Sequence, residues 1–146
     1  MGVSQAAVPL FSRERLIRFS DCDPAGIVFY PQYFVMLNGL VEDWVNAMGI
    51  GYQRLIVEQR VGLPTVRIEA DFRAVSHFGD NVTLVLAVER LGARSLTLAL
   101  QCVAADGELR MQMRQVLVTT SLETHRAIDV PVALRDAIRQ CVPSQA

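Results

Sequence analysis

Two aspartates, Asp21 and Asp23, begin the segment of this chain whose residue types and spacing are best suited to chemistry. Pro24 and Gly26 follow and predict a tight turn, after which an apolar stretch has helical spacing. The N-terminus of a helix presents unpaired N–H groups and a partial positive charge, which stabilise an oxyanion as it develops. A carboxylate beside such donors is suited to attack on a carbonyl carbon, or to activation of water.

The same two aspartates have a plainer interpretation, because Asp is common in turns and at helix N-caps. A third interpretation is a D-x-D pair that binds Mg²⁺ or acts as a phosphatase nucleophile, and it ranks low. It would need alternating strands and helices and further acidic ligands, which the sequence pattern does not contain. We therefore expect no metal and no cofactor.

The elements that must position this segment are predicted from the period of the apolar residues. After a loose tail at residues 1–11, we predict a strand at 13–20, a long helix at 32–48, a short helix at 52–60, strands at 66–74, 82–89, 95–104 and 109–121, and a terminal helix at 131–141. Pro31 suits the first position of the long helix, and Gly49 suits the position after its end. The strand at 66–74 alternates apolar and charged residues, which predicts one buried face.

This order of elements predicts a single domain over residues 1–146, of the α+β class. The long central helix is wrapped by a curved antiparallel sheet of about five strands. A doubly wound nucleotide fold is excluded, because strands and helices do not alternate and no glycine-rich phosphate loop occurs.

Composition and charge narrow the classes of partner. The net charge of −1 and the pI of about 6.1 argue against nucleic-acid and anionic-membrane binding. Three cysteines without a CxxC spacing, and no apolar run long enough for a membrane span, make the cytoplasm the expected location. The hydrophobic fraction of 51% is high for a soluble monomer, which predicts apolar surface between subunits.

Residues 21–34, with the sequence DCDPAGIVFYPQYF, resemble the start of the 4-hydroxybenzoyl-CoA thioesterase family of hotdog-fold proteins. The likeness lies in DCDPAGIV, in the aromatic residue after it, and in Tyr-Pro-x-Tyr at the helix start, and it extends to the order of elements. The resemblance implies a hotdog fold and a homodimer with a continuous sheet, often paired into a dimer of dimers. It also implies acyl-CoA thioester substrates and an active site at the dimer interface.

The resemblance also implies roles for individual residues. Asp23, the second aspartate of the motif, is the catalytic carboxylate, and it either attacks the thioester to form a mixed anhydride or activates water. The backbone N–H of Tyr30 polarises the thioester carbonyl. Arg90 and Arg94, around the predicted turn at residues 92–94, lie where the family has a basic cluster for the nucleotide phosphates. Asp21 is expected to be structural.

Two positions of the implied acyl pocket depart from the 4-hydroxybenzoyl enzyme. Asn38 and Leu63 stand where that enzyme recognises the phenol with an acidic residue and a Thr. Asn38 still forms hydrogen bonds, whereas the side chain of Leu63 forms none. A pocket with fewer polar groups discriminates weakly for a hydroxyl. We therefore expect benzoyl, other aryl, or short to medium acyl thioesters as substrates.

Three rival functions remain open at this point. A hotdog module that binds acyl-CoA without hydrolysis, and a thioesterase for acyl-carrier-protein thioesters, fit the same residues. A hydratase of the same fold normally needs an Asp/His pair, and the turn at 21–26 contains no His. We predict His77 and His125 as surface turn residues, and Cys22 as buried and inert.

Overall fold

The fold consists of one long helix and a five-stranded antiparallel sheet, accompanied by smaller elements. The computed structural model describes residues 8–142. Its elements are β1 (Phe11–Leu16), α1 (Tyr30–Ala47), β2 (Val61–Gly62), β3 (Thr65–Phe72), β4 (Asn81–Leu91), β5 (Ser95–Ala104), β6 (Leu109–Val118), β7 (Thr120–Ser121) and α2 (Val132–Cys141). Short turns of 3-10 and π helix lie at Phe19–Asp21 and Arg54–Glu58.

The main sheet has the strand order β1-β4-β5-β6-β3, and every neighbouring pair is antiparallel. Alternate residues of β4, β5 and β6 are buried, because one face of these strands packs on the core and the other faces outward. The buried face of α1 joins the same core, through Tyr33, Met36, Leu37, Leu40, Val41, Trp44 and Val45. The predicted α+β class, with one antiparallel sheet of five strands and a long helix, is confirmed.

Helix α1 begins two residues before the predicted start. Phe29 is the N-cap with an extended backbone, so Pro31 occupies the second helical position rather than the first. Proline is tolerated there because the N–H groups of the first turn have no partner within the helix. Gly49 follows the helix with a φ of +82°, as its predicted position requires. Among the described residues, no helix is long and apolar enough to cross a membrane.

Strand β3 differs from its prediction, because the expected buried face is open in the single chain. Val66, Ile68 and Phe72 are 60%, 42% and 50% exposed. β3 lies at the edge of the sheet, with β6 on one side and no strand of residues 8–142 on the other, so fewer neighbouring elements cover its side chains. A free edge strand with apolar side chains is a surface suited to pairing with another chain.

Three other predicted boundaries also differ from the structure. The first strand ends at Leu16 rather than at residue 20, because the 3-10 turn at Phe19–Asp21 follows it. Leu10 already donates its N–H to the Leu86 carbonyl, so the predicted loose tail does not reach residue 11. Residues 1–7 of that tail lie outside the described residues. The predicted strand at 109–121 divides at Thr119, after which β7 leaves the main sheet and pairs with β2.

Candidate active site

The segment at residues 21–29 folds back on itself and enters α1. Cys22 and Val28 form an antiparallel bridge, and the Asp23 N–H bonds to the Ile27 carbonyl at 3.0 Å. Gly26 makes the turn with a φ of +77°, a conformation that favours glycine. Because the two arms of this segment are hydrogen-bonded, Asp23 is held at the same end of the molecule as the start of α1.

Asp21 is buried and fully occupied by structural contacts. Its Oδ1 pairs with Arg15 Nη2 at 2.9 Å, and its Oδ2 accepts the Arg18 N–H at 2.8 Å. Its carbonyl accepts the Phe29 N–H at 2.9 Å and closes the base of the segment. Asp21 therefore stabilises the turn, which agrees with the structural role expected for it.

Asp23 has one carboxylate oxygen engaged and one free. Oδ1 accepts the Ala25 N–H at 2.8 Å, which fixes the side chain in a local turn. Within residues 8–142 no donor or cation contacts the second oxygen. The side chain is half-buried, so the protein holds one oxygen in place while the other has no protein donor.

The start of α1 presents a free backbone donor. Phe29 makes no side-chain cap to the helix, and Pro31 carries no N–H. Gln32 donates its N–H back to the Phe29 carbonyl at 2.8 Å. In the described chain the Tyr30 N–H has no acceptor, so it remains available to an incoming oxygen. The positive end of the helix dipole adds to this attraction for negative charge.

A second segment, residues 75–80, holds the first one in place. The Val28 N–H bonds to the Ser76 carbonyl, and the Phe78 N–H bonds to the Gly26 carbonyl, both at 2.9 Å. Asp80 anchors this second segment, because its Oδ2 accepts Arg110 Nη1 at 2.9 Å. Sequence reasoning predicted a turn here but not its contact with residues 21–29. No local pattern signals a pairing between segments so far apart in the chain.

The thiols near the site are poor nucleophiles. Burial raises the pKa of Cys102 to about 11, so the thiol stays protonated at neutral pH. Burial, together with the charges of Asp21 and Asp23, also raises the pKa of Cys22. Cys22 is half-buried rather than buried as predicted.

Both histidines lie in exposed turns, as predicted. His125 has a φ of +59° in the turn after β7. His77 is exposed too, but its backbone forms an antiparallel bridge with Ile27, which puts it beside the segment that carries Asp23.

Aromatic side chains surround the helix start. Phe72, at the end of β3, meets Tyr30, Tyr33 and Phe34 of α1 with ring centroids 6.0 to 6.3 Å apart. Tyr30 is 59% exposed and Phe72 is 50% exposed, so the group forms an open aromatic surface. The sequence predicted Phe72 only as a core residue of its strand, since the contact with α1 depends on tertiary structure.

The residues expected for the acyl pocket are more scattered. Asn38 is exposed on α1, two helical turns or about 12 Å beyond Tyr30. Leu63 is buried just before β3. Phe72 is at the opposite end of that strand, which is about 23 Å long for 8 residues. One chain therefore does not bring Leu63 to Asp23.

The two arginines expected for the nucleotide phosphates are also remote from Asp23 in one chain. Asp23 lies by the start of β4, whereas Arg90 and Arg94 lie at its end, about 34 Å along a strand of 11 residues. Arg94 Nε pairs with Asp129 Oδ1 at 3.0 Å on the surface. Arg90 is exposed on the outer side of the sheet, near Arg67 and Arg114.

Comparison with known proteins connects these features to a family. The family model described as the thioesterase-like superfamily matches residues 17–138. The 4-hydroxybenzoyl-CoA thioesterase of Pseudomonas sp. (strain CBS-3) is 29% identical over 136 residues, which cover 88% of this chain and 94% of that protein. The 1,4-dihydroxy-2-naphthoyl-CoA hydrolase of Synechocystis sp. is 30% identical over 83 residues, which cover 57% of this chain and 60% of that protein.

Solved structures agree with this relationship. The 1,4-dihydroxy-2-naphthoyl-CoA thioesterase from Synechocystis superposes with a TM-score of 0.82 at 25% identity, covering 88% of this chain and 95% of that one. A gentisyl-coenzyme A thioesterase shares the fold, with a TM-score of 0.77 at 22% identity and coverage of 85% and 98%. The chain therefore belongs to the thioesterase-like superfamily, and its long helix and five-stranded sheet form a hotdog fold.

Proposed function

We propose that this protein is an acyl-CoA thioesterase that hydrolyses an aryl-CoA thioester to the free acid and CoA. One observation carries the proposal: the free oxygen of Asp23 and the free N–H of Tyr30 stand at the same helix start. The named activities of two relatives, on 4-hydroxybenzoyl-CoA and on 1,4-dihydroxy-2-naphthoyl-CoA, support an aryl substrate.

The proposed chemistry uses these two groups on opposite sides of one carbonyl. The Tyr30 N–H donates to the thioester oxygen, where negative charge accumulates as the tetrahedral intermediate forms. Asp23 either attacks the carbonyl carbon or removes a proton from an attacking water. The carbon–sulfur bond then breaks, and the CoA thiolate leaves and takes up a proton. Water supplies the oxygen of the free acid on the general-base route, and it hydrolyses the mixed anhydride on the other.

The aromatic surface supports an aryl group as the acyl part. Tyr30, Phe34 and Phe72 meet edge to face, an arrangement into which a further ring packs favourably. Asn38 is exposed and offers one polar contact, whereas Leu63 offers none. We therefore propose a pocket that accepts aryl groups but depends weakly on a ring hydroxyl.

We further propose that the site is completed by a second copy of the chain, paired along β3. A two-fold axis that pairs β3 with its own copy in antiparallel fashion reverses the two ends of the sheet. The partner's Arg90, Arg94 and Leu63 would then lie at the end that carries Asp23. The exposed apolar residues of β3 support this pairing. A dimer of dimers and a cytoplasmic location stay predictions.

The principal test removes the charge of Asp23. We expect Asp23→Asn to lower kcat for CoA release by about 10²–10⁴-fold, because neither a nucleophile nor a base remains. Asp106→Asn is a matched control, since Asp106 Oδ1 accepts a backbone N–H two residues ahead in the same way as Asp23 does. Circular dichroism checks that both variants fold. Wild-type turnover in Asp23→Asn would disprove the proposed catalytic group.

A substrate panel tests the acyl group and the rival functions. Benzoyl-CoA, 4-hydroxybenzoyl-CoA, short and medium acyl-CoA, and carrier-protein thioesters would be compared by thiol release. We expect aryl-CoA to be preferred, with less than about a tenfold difference between benzoyl and 4-hydroxybenzoyl. Binding of every acyl-CoA without thiol release would instead identify an acyl-CoA-binding module. Release from carrier-protein thioesters alone would contradict a CoA ester as the substrate.

A further inference from the structure

A buried hydrogen bond joins α1 to the segment at residues 75–80. Tyr33 lies one turn after Tyr30, and its hydroxyl donates to Ser76 Oγ at 2.9 Å. The two residues are only 4% and 1% exposed. The buried Cys102 thiol also lies within hydrogen-bonding reach of Ser76. The chemistry described above assigns no role to the Tyr33–Ser76 pair.

Ser76 connects the two halves of the candidate site. Its hydroxyl reaches the helix that carries the Tyr30 N–H, and its carbonyl accepts the Val28 N–H from the segment that carries Asp23. His77, the next residue, continues the contact through its bridge with Ile27. The helix start and the Asp23 segment are therefore both attached to one buried residue.

We propose that the Tyr33–Ser76 hydrogen bond is a positioning device that sets the separation between the Asp23 carboxylate and the Tyr30 N–H. The inference rests on the proposed function of these two groups. Their alignment matters, because a misplacement of about 1 Å costs up to about 10²-fold in rate. A buried hydroxyl that would be costly to leave unpaired has one favourable arrangement, so it defines the register of α1 more sharply than apolar packing does.

The surroundings of the pair keep it uncharged and rigid. Burial raises the pKa of the Tyr33 hydroxyl, so it remains a neutral donor at neutral pH. The Tyr33 ring packs against Phe72 with centroids 6.0 Å apart. This packing survives when only the hydroxyl is removed, so the Tyr33→Phe variant isolates the hydrogen bond from the ring.

The test compares turnover with substrate binding. We expect Tyr33→Phe and Ser76→Ala each to lower kcat by about 10- to 100-fold while KM changes by less than about twofold. The double variant should be no slower than either single one, because both remove the same bond. Tyr52→Phe is the matched control. It also deletes a tyrosine hydroxyl, but Tyr52 lies beyond the opposite end of α1, so this variant should keep wild-type kcat.

The possible results separate this inference from the proposed function. Unchanged kcat in a folded Tyr33→Phe or Ser76→Ala variant, with Asp23→Asn inactive, would overturn the inference alone. Additive losses in the double variant, or a kcat and KM that deteriorate together, would also overturn it, because they indicate general destabilisation. Full activity in Asp23→Asn would instead overturn the proposed function itself. Ser76→Ala retains the carbonyl that binds Val28, so it tests the bond even if Tyr33→Phe does not fold.

Discussion

The two ends of the sheet are built in different ways. The end that carries Asp23 is held by backbone hydrogen bonds between residues 21–29 and 75–80, and by the buried side chains of Asp21 and Ser76. At the opposite end, the side chains of Arg94 and its partner Asp129 are 61% and 79% exposed. The backbone is hydrogen-bonded at the second end too, since the Thr119 N–H donates to the Arg94 carbonyl and the Val130 N–H to the Ala93 carbonyl, both at 2.9 Å. The difference lies in the side chains: those of Asp21 and Ser76 are buried and hydrogen-bonded at the first end, whereas those of Arg94 and Asp129 lie on the surface at the second.

This difference suits the two tasks proposed for them. Stabilising a transition state needs donors that are already in position, because groups that must reorganise contribute less. Attracting the phosphates of CoA needs positive charge at roughly the right place, and long exposed arginines provide it. The contrast therefore predicts that changes at the Asp23 end act on turnover, and that changes at the arginine end act on binding.

The largest effect in this comparison should come from the backbone donor of Tyr30. Tyr30→Pro removes the N–H at the first helical position, where proline fits and where Phe29 is already extended. We expect kcat to fall by about 10²–10³-fold, the usual cost of one lost oxyanion donor. Thiol release under saturating substrate measures it.

Tyr30→Ala separates the backbone from the side chain in this test. It deletes the ring but keeps the N–H, so it should retain far more of kcat than Tyr30→Pro. Equal losses of kcat in the two variants would show that turnover depends on the Tyr30 ring and not on its N–H. Circular dichroism of both variants checks that α1 is intact.

A smaller effect, on KM, is expected at the opposite end. The combined change Arg90→Gln and Arg94→Gln should raise KM for acyl-CoA by about tenfold, since charge-assisted hydrogen bonds at an exposed site are of moderate strength. Turnover at saturation should remain close to wild type. A lower kcat with unchanged KM would contradict the division of tasks between the two ends.

Mixing the Asp23→Asn variant, which is expected to lack turnover, with the double arginine variant, which is expected to bind substrate weakly, tests whether the two ends meet across a dimer. Asp23→Asn dimers and dimers with both arginine changes would be dissociated and recombined. A hybrid dimer then contains one site with intact Asp23 and intact partner arginines. Activity at low substrate should recover to about a quarter of wild type, because half of the dimers are hybrids with one good site. No recovery would contradict the proposed pairing along β3.

The smallest effect concerns stability at the end that carries Asp23. The N–H of His77 and the guanidinium of Arg110 hold the pKa of Asp80 below its usual value of 3.8. A carboxylate with a lowered pKa in the folded state stabilises the protein above the unfolded pKa, and this contribution is lost as pH falls through the folded pKa. The gap in unfolding free energy between wild type and Asp80→Asn should therefore be constant from pH 7 to about pH 5 and shrink below about pH 4.

Urea unfolding across this pH range measures the gap. Asp129→Asn provides the comparison from the other end, where the ion pair with Arg94 is exposed and contributes little at any pH. A gap for Asp80→Asn that stays constant down to pH 2 would contradict the role assigned to its charge.

Local patterns predicted most of the elements because their residues carry the period themselves. Strand β5 has the predicted bounds at residues 95–104, and α1 covers the predicted helix at 32–48 except for its last residue. The alternation in β3 also predicted a strand correctly, but not its burial. Periodicity reveals which side chains share a face, whereas the position of a strand in the sheet decides whether anything covers that face.

The candidate site divides in the same way. Asp23 and Tyr30 were predicted from the motif that contains them, and their catalytic roles stay predictions. Ser76 and Phe72 were not predicted as site residues, because their contacts with α1 join parts of the chain about 40 residues apart. Arg90, Arg94 and Leu63 were predicted from resemblance, and one chain keeps them remote from Asp23.

The sequence by itself determined the chemical groups and the local geometry around them: the two aspartates, the Pro–Gly turn, and a helix that begins directly after it. Short-range sterics and hydrogen bonds suffice for such features. Only the tertiary structure decided that Asp21 is buried and Asp23 has a free oxygen, that Ser76 links the two halves of the site, and that β3 is a free edge. Those facts depend on long-range packing, which assigns different surroundings to residues of the same type.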